Sequence, residues 1–145
     1  MVIRDWSSDV CSSDLAAYRS LVRAELVDEL YEKILHIFVV QKKYKDPDYS
    51  AKKMAEELST NTRYISAVVN IRFGQNYSSL VNEYRIKDAQ YLLVDKRYMD
   101  KTMEEISAMV GFANRQSFYA AFYKLNGITP RSYRINHLAK ENNKA

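Results

Sequence analysis

The chain has 145 residues, with 22 Lys and Arg against 18 Asp and Glu for a formal net charge of +4, and only three Gly and two Pro. That is one domain of ordinary size whose composition favours helices, because straight-chain residues lose little rotamer freedom in them. The longest strongly apolar run, Ile34 to Val40 interrupted by His36, is too short to cross a bilayer.

Residues 1–15 stand apart and read as a non-native leader. MVIRDWSSDVCSSD holds the only Trp (Trp6) and the only Cys (Cys11), repeats Ser-Ser-Asp, and has no helical period. RDWSSDVCSSDL is similar to the translation of a sequencing-adapter oligonucleotide, so it is set aside from fold reasoning; the alternative is a polar tail. Without Arg4, Asp5, Asp9 and Asp14 the net charge rises from +4 to +6, and no Cys remains. Disulfides, a thiol nucleophile and Cys-type zinc sites are then excluded, and the positive excess permits a polyanionic partner. The native protein is expected to continue upstream, where any sensor region would lie.

Residues 16–48 read as an amphipathic helix and a loop. From Ala17 to about Tyr44, the apolar Leu26, Val27, Leu30, Tyr31, Ile34, Leu35 and Phe38 recur at three- and four-residue steps. Pro47 stops that pattern. Residues 49–76 hold two short helices. Ser50 caps the first, through about Leu58, and Asn61 caps the second, from Thr62 to about Arg72 with Ile65, Val68 and Val69 inward. Gly74 ends it in a left-handed cap. Residues 77–96 form a linker helix carrying Tyr77, Leu80, Val81, Tyr84, Ala89, Leu92 and Leu93 on its apolar face.

Residues 97–138 repeat the plan with a final helix added. Thr102-Met103-Glu104-Glu105 is a capping box, followed by Ile106, Met109 and Val110 facing inward and a stop at Gly111. A helix from Arg115 to Asn126 buries Phe118, Ala121, Phe122 and Leu125 and ends at Gly127. Thr129-Pro130 starts a last helix to about Leu138, and 139–145 read as a polar tail. At an offset of 53 residues, Asn61 matches Asn114, Ile65 and Val69 match Phe118 and Phe122, Ala67 matches Ala120, and Gly74 matches Gly127. Helix, three- or four-residue turn, helix is the helix-turn-helix plan, and two copies in register are more specific than one.

Residues 50–134 resemble the AraC/XylS-type DNA-binding domain. The resemblance rests on EEISAMVGFANRQSFYAAFYKLNGITPRSYR, with its V-G-F turn, the pair Phe118 and Phe122, and the ending at Gly127, Thr129, Pro130, Tyr133 and Arg134. It also rests on Arg85, Ala89, Leu92 and Leu93 in EYRIKDAQYLL. The lead-in LYEKILHIFVVQKKYKDPDYSAKKMAEEL is similar to that of a Bacteroidetes-type subgroup. The implied fold is all-α, two helix-turn-helix subdomains joined by a long linker helix with an extra N-terminal helix. The implied function is sequence-specific binding of double-stranded DNA as the output domain of a bacterial transcription regulator, working on the nucleoid in the cytoplasm, with RNA polymerase as a further partner. Membrane anchoring through an upstream region stays open.

The resemblance implies that the helices starting at Thr62 and Arg115 read successive major grooves, about 34 Å apart. The base-reading candidates are Arg63, Ser66, Ala67 and Asn70 in one, and Arg115, Gln116, Tyr119 and Ala120 in the other. Arg63 and Arg115 can donate bidentately to guanine and Gln116 can pair with adenine; the alternative for each Arg is a solvated charge or a phosphate contact. Tyr119 can meet a thymine methyl or a phosphate. Ala67 and Ala120 depart from the long polar residue frequent in the family and offer only a methyl. Phosphate candidates are the helix starts at Asn61, Asn76, Asn114 and Thr129 with Lys52, Lys53, Lys124, Arg131 and Arg134. Arg85 and Arg134 have a rival reading as structural ion-pair residues.

No cofactor, metal or small-molecule site is expected in this stretch. His36 and His137 lack ligand spacing, His36 reading as a packed histidine, and no Gly-rich phosphate loop, carboxylate pair or Ser/His/Asp set appears. An enzyme is therefore not expected. The rival to DNA reading is a helical protein-interaction module, kept open by Ala67 and Ala120.

Overall fold

The computed structural model describes residues 24–144; the expectations for the leader and for a helix start at Ala17 lie outside them. The regular structure of the described residues is all helical, with seven α-helices, one π turn and two 3-10 turns. They form two compact units, residues 24–43 with 49–80, and residues 44–48 with 81–144.

In the first unit α1 (Ala24–Leu35) buries Val27, Leu30 and Ile34. It does not continue as an α-helix to Tyr44. The backbone widens into a π turn at His36–Gln41, which buries Ile37 and Phe38 and ends at Lys42 in the left-handed region, φ 52°. Its amide bonds back to the carbonyl of Ile37, which closes the turn. His36 is exposed, contrary to the packed histidine expected, and its Nδ1 accepts from Gln41 Nε2 at 3.3 Å. Next come α2 (Ala51–Glu57), capped by Ser50, and α3 (Thr62–Phe73), capped by Asn61. Both α1 and α2 pack on α3, whose buried positions Ile65, Ala67, Val68 and Val69 consequently cover more than one stripe. Tyr31 and Phe73 lie 5.3 Å apart, and Arg72 sits over Tyr31 while pairing with Asp28.

The helix α4 (Tyr77–Val94) gives its first turn to the first unit and the rest to the second. The second unit continues with α5 (Met103–Val110), α6 (Arg115–Asn126) and α7 (Pro130–Lys144). Its core is Ile86, Ala89 and Leu93 of α4, Ile106 and Val110 of α5, Phe112, and Phe118 and Phe122 of α6. The aromatic rings meet at 5.5 to 5.9 Å between centroids, Phe118 contacting Phe112 and Phe122. Two residues expected inside are outside, Met109 at 37% and Leu125 at 50% exposure, because only one stripe of α5 and of α6 is covered. The polar tail is helical to Lys144, His137 pairing with Glu141 one turn on; no Gly or Pro interrupts it. The segment 44–48 also packs here. Tyr44 is buried and donates its hydroxyl to Asp88, and Arg85 Nε donates to the Tyr44 carbonyl at 2.7 Å.

Candidate nucleic-acid interface

Each candidate reading helix starts the same way. The side chain of Asn61 accepts the amide of Tyr64 at 3.0 Å, and that of Asn114 accepts the amide of Ser117 at 2.8 Å. Each ends at a left-handed glycine, Gly74 at φ 70° and Gly127 at φ 74°. Between cap and stop the helix must bury one face and leave another to solvent. The turn before α6 is fixed from behind by Ser107, buried on α5, whose hydroxyl donates to the Asn114 carbonyl at 3.1 Å.

On α3, Arg63 is exposed, while Ser66 and Asn70 are half-buried. Asn70 turns its amide onto the helix itself, donating to the Ser66 carbonyl at 2.8 Å. Ala67 is fully buried. It is a core residue and presents no methyl outward, because two helices cover α3 where the spacing from Arg63 allowed for one. On α6, Arg115, Gln116 and Ala120 are exposed and Tyr119 is half-buried. Arg115 lies over the Tyr119 ring, 4.9 Å from guanidinium carbon to ring centre. Tyr123, at 59% exposure, was absent from the expected set. It lies three and four residues on from Ala120 and Tyr119.

Around these helices Lys52, Lys53, Lys124 and Arg131 are exposed, and no described carboxylate pairs with them. Asn76 accepts the amide of Ser79 at 2.8 Å, and Thr129 that of Ser132 at 3.1 Å. Each cap thus takes one first-turn amide, and helix starts of this kind leave further amides for an anion. Arg134, also a phosphate candidate, is half-buried and tied to the backbone. Its guanidinium donates to the carbonyls of Leu93 at 2.8 Å, Tyr98 at 3.2 Å and Lys101 at 3.3 Å, and burial lowers its pKa from the usual range. Arg85 is spent similarly, on the carbonyls of Tyr44 and Asp46. Carboxylate acceptors were expected for these two; the acceptors seen for Arg134 are backbone carbonyls, and Arg85 too bonds to backbone carbonyls, which no side-chain pattern announces.

Among the described residues no helix is long and apolar enough to cross a membrane.

Comparison with known proteins bears on what this arrangement belongs to. A "Helix-turn-helix domain" family model matches residues 54–136. An uncharacterised helix-turn-helix-type transcriptional regulator of Bacillus subtilis, YtdP, is 32% identical over 82 residues, which are 57% of this chain and 10% of that protein. The chain therefore spans only a small part of that relative's length. The C-terminal domain of the two-component response regulator yesN from Fusobacterium nucleatum has 26% identity and a TM-score of 0.62, covering 74% of this chain and 96% of that one. The C-terminal domain of AraT, a response regulator from Geobacillus stearothermophilus, has 22% identity and a TM-score of 0.61, covering 88% of each; that likeness carries the fold alone. With more than half its length matched by the family model, the chain belongs to the AraC-type family of helix-turn-helix DNA-binding domains.

Proposed function

We propose that this chain is the output domain of a bacterial transcription regulator, binding double-stranded DNA sequence-specifically with α3 and α6 in successive major grooves. The observation that carries the reading is the outward face of α6. Arg115 and Gln116 stand exposed on its first turn, backed by the fully buried Phe118 and Phe122. A helix fits the major groove, where Arg pairs bidentately with guanine and Gln with adenine. On α3 the same role falls to Arg63, assisted by Ser66 and Asn70. The exposed Lys52, Lys53, Lys124 and Arg131, with the helix starts at Asn61, Asn76, Asn114 and Thr129, supply phosphate contacts that set affinity but not sequence. In this role the chain acts in the cytoplasm on the nucleoid, beside RNA polymerase, and performs no catalysis.

The test is selection of bound sequences from random duplex DNA by the whole chain at low salt. An enriched motif is expected. Failure to enrich any sequence would leave the protein-interaction module as the better reading. Two variants separate the roles. Gln116→Ala should relax preference at a particular base pair at a cost of roughly 1–3 kcal/mol. Lys53→Ala should weaken all sequences alike and reduce the slope of log K against log salt by about 0.9. If both act alike, the assignment of readers is wrong.

A further inference from the structure

We propose that Tyr119 is a positioning residue: its ring holds the Arg115 guanidinium ready to read a base, and so concentrates specificity in the second helix-turn-helix. The inference rests on the DNA-reading function above and adds to it which residue sets the sharpness of the readout. Arg115 and Tyr119 are one turn apart on α6, with the guanidinium over the ring at 4.9 Å. The ring itself is anchored. Tyr119 is half-buried and stands edge-on to Phe118, at 6.0 Å between centroids and 84° between planes. Phe118 is fully buried between Phe112 and Phe122. The stack is therefore built on the core, not on a mobile side chain.

A guanidinium held by its face keeps its N–H donors along its rim, where a guanine edge is met. Arg115 is exposed, and no described carboxylate competes for those donors. Ala120 presents only a methyl, so polar base recognition on this face falls to Arg115 and Gln116. The first unit lacks the device. One turn beyond Arg63 stands Ala67, whose methyl is fully buried, and no described ring lies over the Arg63 guanidinium. Arg63 keeps its rotamer freedom until it binds, and ordering it then opposes discrimination. The bound sequence should consequently have one sharp half and one diffuse half.

The test compares the whole chain as wild type, Tyr119→Phe, Tyr119→Leu and Arg115→Ala, each on the selected duplex and its single-base changes. Arg115→Ala should flatten preference at one base pair. Tyr119→Leu should weaken preference at that same pair about two- to five-fold, the range of an exposed cation–π contact. Tyr119→Phe should retain it, because the ring is kept. In the free protein, the Arg115 δ protons should be shifted upfield by the ring in wild type and Tyr119→Phe, and should return to ordinary positions in Tyr119→Leu. Should the Leu variant fail to fold, the Phe variant and the wild-type proton shifts decide. A Phe variant that loses the preference means that the hydroxyl makes the contact, and overturns the proposal. Unshifted δ protons, or a folded Leu variant with the preference intact, overturn it equally. An Arg115→Ala change felt alike at every base pair overturns it while leaving DNA reading standing. A wild-type chain that enriches no sequence removes both.

Discussion

Gly111 closes α5 at φ +109°, with almost no room on its α-carbon. A β-carbon there would run into the Tyr44 carbonyl oxygen and come within 2.9 Å of Arg85 Nε and the Lys45 carbonyl carbon. Two of those atoms are backbone and cannot swing aside. Gly74 and Gly127 also have positive φ but open space around them, so replacing either costs only the left-handed conformation, about 1–2 kcal/mol. Gly111→Ala is expected to cost about 4 kcal/mol or more, in the range reserved for severe overpacking, as measured by urea unfolding of the three alanine variants. Equal losses at all three positions would contradict the close approach. Arg85 bonds to the backbone at this corner, and Arg134 makes the same kind of bond elsewhere in the second unit. Each spends its donors on carbonyls at chain crossings, and a buried carbonyl left without a donor would cost about 1–3 kcal/mol.

The capping box of α5 makes an element-scale statement that pH can test. Thr102 Oγ1 accepts the Glu105 amide at 3.1 Å and Glu105 Oε1 accepts the Thr102 amide at 3.1 Å. The backbone bond to Thr102 is the chief cause holding the Glu105 carboxyl below its ordinary pKa, with Lys101 adding to it. A carboxyl depressed on folding stabilises the protein above its unfolded pKa, about 4, and loses that contribution as pH falls through the folded value. Glu105→Ala should therefore be less stable than wild type at pH 7, with the gap closing below about pH 4 in urea melts; a pH-independent gap would assign the loss to something other than the cap. Local signals of this kind were legible in the sequence. The starts at Ser50, Asn61, Thr102 and Asn114 and the stops at Gly74, Gly111 and Gly127 stand where expected, because a cap is decided within four residues. Burial that depends on a second neighbour was not legible. Ala67 faces inward because both α1 and α2 pack on α3, and Met109 and Leu125 stay out because one stripe of each helix suffices for the core. On the site, the outward placement of Arg63, Arg115, Gln116 and Ala120 was legible from periodicity, whereas the bonds of Arg134 were not, because its acceptors come from three distant backbone positions.

The largest departure from a simple two-repeat reading is the path of the chain. It leaves the first unit after Lys43, spends Tyr44 to Asp48 in the second, returns for residues 49–80, and then enters the second for good. The five-residue segment is not a passive connection. Tyr44 is 2% exposed, its hydroxyl donates to Asp88, its ring lies 5.6 Å from Tyr84, and its carbonyl accepts from Arg85 beside Gly111. Burial and the bond to Asp88 both push the Tyr44 phenol above its ordinary range, so the hydroxyl keeps the proton it donates at neutral pH. The segment itself lies outside the stretch matched by the family model, which begins at residue 54. A chain trimmed to the matched stretch would uncover Asp88, Arg85 and the turn that precedes α6. Tyr44→Ala isolates that effect without trimming. It removes a fully packed aromatic, expected to cost about 3–5 kcal/mol, and leaves the carbonyl in place. If the segment braces the second helix-turn-helix, native-state hydrogen exchange should speed up in α5 and α6 and remain unchanged in α2 and α3, since sub-global openings follow the unit whose contacts are lost. Equal acceleration in both would mean that the segment serves the two units alike, and unchanged exchange in α5 and α6 would remove its bracing role.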